Sequence, residues 1–166
     1  MWRALTLSIS LTAAAVPVWA QSEALSSLRF LLGEWTAVDT PRDESGSFSF
    51  KSAVQDHVIV RTNEATYAAT ADRSASRHED LLVIFTENGS MRADYFDSEG
   101  HVIRYTVQAR EPNHAVFLSE PTAREPGYRL TYSRGADGLL VGSFEIAAPG
   151  SSSSFKPYLS WKARRR

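Results

Sequence analysis

Four histidines, one short histidine–carboxylate pairing and a set of strand tyrosines are what this chain offers as chemistry. His57 follows Asp56 and His101 follows Gly100, so both read as surface residues at the ends of turns. His78 and Asp80 stand two apart and share a strand face, the one local pairing suited to a metal. Two ligands fall short of the three or four protein ligands of a zinc site, so no metal site is assigned. His114 is the last histidine of the chain. Asp94 and Glu145 are candidate general acids, but strand carboxylates usually face solvent. The serines at 151–154 sit in a loop with no histidine near them in sequence. A Gly-x-Ser-x-Gly elbow, a phosphate-cradling glycine loop and the zinc-peptidase helix motif are all missing. No catalytic residue is assigned. An enzyme would need a buried His78 or Asp94 facing a pocket beside a second titratable group.

The tyrosines say more, because the strands that carry them can be put in register. Asn88-Gly89 between strand residues signals a two-residue hairpin turn, which sets Glu87 against Ser90, Ile84 against Ala93 and Leu82 against Tyr95. With Gly100 as the left-handed residue of the next turn, Asp97 opposes His101, Tyr95 opposes Ile103 and Ala93 opposes Tyr105. Both hairpins then agree on one face carrying Leu82, Ile84, Met91, Ala93, Tyr95, Ile103, Tyr105 and Val107. The other face carries Arg92, Asp94, Arg104 and Thr106 beside Val83 and Phe85. The first face belongs inside, since a uniformly apolar outer wall would aggregate. Asp94 opposite Arg104 is either an exterior cross-strand pair worth about 0.2–1 kcal/mol or an interior anchor for a ligand headgroup. Tyr128 and Tyr132 share a face with Leu130. Inward phenols need partners, supplied by a wet cavity or a ligand, unless the rings fill a solid core.

The elements that position these residues follow from a change of period. Over residues 22–32, Leu25, Leu28, Leu31 and Leu32 recur at helical spacing, with Ser22 as cap, and Gly33 stops the helix before Trp35. From Glu34 the period is two. Strands are expected over 34–39, 47–51 with Phe48 and Phe50 on one side, 58–67, 81–86, 91–96, 101–108, 115–119, 128–133, 139–146 and 158–163. Turn-rich connections fall at 40–46, 70–77 and 149–154. With no helix long enough to join parallel strands, the fold class is all-β, an antiparallel up-and-down β-barrel of about ten strands with a short N-terminal helix. An open sandwich is the alternative.

Composition bounds the rest. Met1-Trp2-Arg3, an apolar run over 4–16 and Val18-Trp19-Ala20 read as a signal peptide over residues 1–20, leaving 21–166 as a single domain in the periplasm or secreted. The apolar run is shorter than the roughly 20 residues of a spanning helix, and no later segment resembles one. The chain has no cysteine, so it relies on its core rather than on disulfides. Its formal charge is -1, about one unit more negative without Arg3, with no basic stripe of the kind nucleic acid needs. The cluster Lys162, Arg164, Arg165 and Arg166 reads as a solvated tail.

The Leu32-Gly33-Glu34-Trp35 opening, with a short helix before it and a ten-strand meander after it, resembles the lipocalin and fatty-acid-binding (calycin) superfamily. Within it the chain is similar to small exported bacterial barrels whose first strand opens Leu-x-Gly-x-Trp, and more distantly to nitrobindin-like haem proteins. The resemblance implies a lipocalin-like barrel in which Trp35 packs at the closed end under a basic side chain of the last strand, Lys162 or Arg164. Two departures stand out. The connection 40–46 leaves no room for the paired helices of fatty-acid-binding proteins. The haem-binding histidine expected near the C-terminus is missing, Tyr158 and Trp161 standing in the last strand, so no cofactor is assigned. The expectation is an exported binding module for a small, largely apolar ligand, lined by Trp35, Phe48, Phe50, Leu82, Ile84, Tyr95, Tyr105, Tyr128 and Tyr132, with access opposite Trp35. A filled structural barrel, monomeric or pairing through Val83 and Phe85, is the alternative.

Overall fold

A computed structural model describes residues 25–151 and 153–166; the signal peptide expected over 1–20 and the helix cap at Ser22 lie outside the described residues. Leu25–Leu31 form a 3₁₀ helix rather than an α-helix. Ten strands follow: β1 (Gly33–Val38), β2 (Glu44–Ala53), β3 (Val58–Tyr67), β4 (Ser76–Glu87), β5 (Ser90–Asp97), β6 (Val102–Gln108), β7 (His114–Leu118), β8 (Gly127–Arg134), β9 (Leu140–Ala147) and β10 (Lys156–Arg165). Each pairs antiparallel with its sequence neighbours, and β10 returns to β1 with Trp35 opposite Arg165 and Ala37 opposite Ala163. The sheet is therefore a closed barrel and not an open sandwich. Closure removes the edges that a meander would otherwise expose.

The central hairpins hold the expected registers. Glu87 pairs Ser90, Leu82 pairs Tyr95, Tyr95 pairs Ile103 and Ala93 pairs Tyr105. Asn88 and Gly89 both take positive φ, the backbone a two-residue turn between twisted strands demands. Asp94 and Arg104 oppose each other on the outer wall, the exterior of the two readings. Several strands run longer than their sequence suggested, β4 and β2 by the most. β4 starts at Ser76 and β2 at Glu44, inside stretches whose polarity read as loop. Polar side chains in both are inward or paired, which breaks the apolar alternation that marks a strand.

Leu25, Leu28 and Leu31 seal one end of the barrel over Trp35, which is fully buried. The indole Nε1 donates to the Leu31 carbonyl at 2.8 Å, so its one polar atom is satisfied inside the plug. The basic side chain over Trp35 is Arg165, with Arg134 also near the ring, and not Lys162 or Arg164. The register gives the reason: Arg164 pairs Thr36 and Lys162 pairs Val38, which puts both on the outer face. Arg165 Nη2 donates to the Leu32 carbonyl at 2.8 Å, and its Nε would lie 2.8 Å from a Cβ at Gly33. Gly33, at φ +132, thus gives the guanidinium its approach.

Candidate functional site

The barrel interior divides at mid-height. Toward the plug, Trp35, Phe50, Leu82, Ile84, Phe117 and Tyr132 are each no more than 1% exposed. Aromatic rings interlock there: Phe50 and Phe117 meet Tyr132 edge to face at 5.4 and 6.1 Å, Tyr105 meets Phe117 at 6.1 Å, and Phe48 stacks on Trp35 at 6.4 Å. Toward the other end Ile103 and Leu130 stay buried, but several other inward positions keep contact with solvent. Leu159 pairs Phe144 and so faces in, yet it is 52% exposed. Tyr95, Tyr128, Phe144, Trp161, Ala37, Gly46 and Ala65 are half-buried. All nine residues expected to line a ligand site face the interior; Tyr95 and Tyr128 stand in the open half, and the other seven form or edge the sealed half.

One wall of the open half is polar, and most of it went unread in the sequence. Arg61 of β3 donates from Nη1 to Asp80 of β4, and the two side chains are 6% and 4% exposed. Asn63 Nδ2 donates to the other Asp80 oxygen at 2.9 Å. His78, next toward the rim, has Nε2 at 3.3 Å from Asp80 Oδ2 and Nδ1 at 2.8 Å from Glu99 Oε2. Tyr95 directs its hydroxyl at Asp97 Oδ2, 3.3 Å away. Asp97 also accepts the backbone N–H groups of Glu99 and His101 and lies 2.9 Å from His101 Nδ1. Burial raises the Asp97 pKa, and these donors outweigh it to hold the carboxyl below its ordinary range. Asp97, Glu99 and His101 bring ligand-type atoms within 4.8 Å of one another, a grouping the hydrogen bonds of this turn already account for.

The facing wall is aromatic. Tyr128 stacks on Phe144 at 5.7 Å, and Tyr158 meets Phe144 edge-on at 6.1 Å. The Trp161 indole meets Tyr132 edge-on at 5.8 Å and lies against Gly142, where a Cβ would come within 2.2 Å of it. Small inward side chains stand between the walls at Ala37, Gly46 and Ala65; a Cβ on Gly46 would make ordinary contacts, 3.5 Å from the Glu64 carbonyl and 3.8 and 3.9 Å from Ala37 and Ala65.

Two buried donors at the floor have no partner among the described residues: Arg61 Nε and the Tyr132 hydroxyl. The Arg61 guanidinium lies 5.3 Å over the Phe48 ring, and the Tyr132 ring is 6.5 Å from that same ring. Burial works against the Arg61 charge, but Tyr132 and Asp80 facing it outweigh burial and raise its pKa. Burial pushes the Tyr132 phenol up to about 12, against the pull of Arg61. Burial also raises Tyr95 and Tyr105, in Tyr95 helped by Asp80 and Asp97. At neutral pH these phenols are protonated donors.

His78 meets half of the condition for an enzyme, since it faces the interior beside Asp80 and Tyr95, but both its nitrogens are already engaged by carboxylates. Asp94 faces outward. His57 corrects its surface reading: it is half-buried, with Nδ1 unpartnered. On the outer wall the most exposed apolar side chains near the expected Val83–Phe85 patch are Phe96 and Val102, paired neighbours beside Leu81, while Val83 and Phe85 are half-buried.

Sequence parity held the signal for the polar wall. His78 and Asp80 share the parity of Leu82, and Arg61 shares that of Ile59. The run Val58-Ile59-Val60 is apolar on both faces and so hid which side of β3 points in. No protein-family model matches this chain, and no curated protein matches it.

Proposed function

We propose that this chain is an exported, lipocalin-like carrier that holds a small, largely apolar molecule in the open half of its barrel. The observation that carries this reading is the change in exposure along the inward face, from sealed at Trp35 and Tyr132 to 52% at Leu159. A solid barrel would seal its inward positions throughout, whereas a container leaves a concave, mostly apolar space with a few polar groups. Aromatic faces at Tyr128, Phe144 and Trp161 would supply affinity, and Tyr95, Tyr105 and the Arg61 side would supply orientation. Trp35, Phe48, Phe50, Leu82, Ile84 and Tyr132 serve as floor. The apolar run and Ala20 support export, and the Leu-x-Gly-x-Trp opening supports the calycin kinship. Access is from the end opposite the plug, where β9 ends at Ala147 and β10 begins at Lys156.

A lipophilic naphthalene dye titrated against the purified protein tests this. Saturable enhancement of its emission, lost in a Phe144→Arg variant that stays folded, is the expected result. Absence of saturable binding by a broad dye panel would reject the carrier. A structural barrel pairing through its outer wall is the second reading, favoured by exposed Leu81, Phe96 and Val102 lying side by side. Under it the protein sediments as a dimer and Phe96→Glu makes it a monomer.

A further inference from the structure

We infer that the molecule held in the barrel presents a neutral carbonyl-type acceptor to Arg61 Nε and the Tyr132 hydroxyl, and that the site discriminates against carboxylates. This rests on the carrier reading above. Both donors are buried, both lack a partner, and both belong to side chains that pack on the same Phe48 ring from different strands. A buried donor left unpaired is costly, so a pair of them at one floor points to an acceptor that completes the site. A carbonyl oxygen has two lone pairs and can take one bond from each.

Charge decides which acceptor fits. The buried cation is already neutralised by Asp80, which is itself 4% exposed. The rim on this side carries Asp97 and Glu99, whose neighbouring imidazoles, His101 and His78, are held by those same carboxylates and Asp80. The rim arginines are engaged too, Arg73 with Asp43 and Arg77 with Glu64 and Glu79. A carboxylate arriving at Arg61 would meet Asp80 with no second buried cation to compensate, and it would shed its water to do so. A ketone, ester or amide brings the same lone pairs without the charge. The stacked Tyr128 and Phe144, with the Trp161 ring on the same wall, favour a planar, conjugated body behind the carbonyl.

Three fluorescent probes of one shape test this: dimethylaminonaphthalene, its ethyl ketone and its carboxylate. The ketone should bind about tenfold tighter than either of the others, the worth of a good buried hydrogen bond. Tyr132→Phe keeps the ring that packs on Phe50 and Phe117, and it should remove most of the ketone's advantage over the parent amine. Asp80→Asn keeps the shape and frees the guanidinium charge, so the carboxylate should gain about tenfold. Equal binding of ketone and parent, or tighter binding of the carboxylate to the unaltered protein, would overturn the inference while leaving the carrier standing. Failure of all three probes to bind would overturn both.

Discussion

Tyr95, Tyr105 and Tyr132 keep their protons against the ordinary phenol value, chiefly because burial disfavours the phenolate. An unfolded chain releases those protons near pH 10, so the stability they contribute is whole below that value and drains away as pH rises toward the folded-state values. Each such phenol costs up to about 1.4 kcal/mol per pH unit once the unfolded state has ionised. The urea midpoint should therefore fall steeply between about pH 10 and pH 12, and less steeply in Tyr132→Phe; a midpoint flat across that range contradicts the burial described. The inward placement of Tyr95 and Tyr105 was legible in the sequence because Asn88-Gly89 and Gly100 pinned their registers, whereas Tyr132 was read only as sharing a face with Leu130 on its own strand. Arg61 was not legible, since its strand opens with Val58-Ile59-Val60, apolar on both faces, and only the barrel's closure decides which face is interior. An Arg61→Met variant should lose about 3–5 kcal/mol in a denaturant titration, because it leaves the buried Asp80 carboxylate without its guanidinium, with only Asn63 and His78 beside it.

At the scale of elements, the aromatic wall depends on β9 and β10 meeting with glycine against tryptophan. Gly142 pairs Trp161, and any Cβ at 142 would collide with the indole. Gly142→Ala should cost about 1–3 kcal/mol and shift tryptophan emission, as the ring must leave the Tyr132 edge. No change in either would mean that the indole does not lie over this glycine. The strand count and the hairpin turns followed from period and turn chemistry alone. Strand starts at Glu44 and Ser76 did not, because a strand whose inward residues are His78 and Asp80 lacks the alternation by which strands are recognised. The partner of Trp35 turned on a one-residue register between the first and last strands, and only the observed pairing chooses Arg165 over Arg164.

For the whole molecule, closure of β10 on β1 makes one end a plug and leaves the other end a mouth with unlike walls. The plug half carries the stability: Trp35→Ala would remove the indole from among Phe48, Arg134 and Arg165, at a cost of about 3–5 kcal/mol. The mouth half carries the proposed function, with aromatic faces set against a neutralised guanidinium. The most direct test of that division is a binding titration of the naphthyl ethyl ketone against the unaltered protein, followed by its emission. A single saturable site per chain, displaced by other neutral carbonyl compounds, is the result predicted. A linear, unsaturable response would contradict it and leave a barrel that holds nothing.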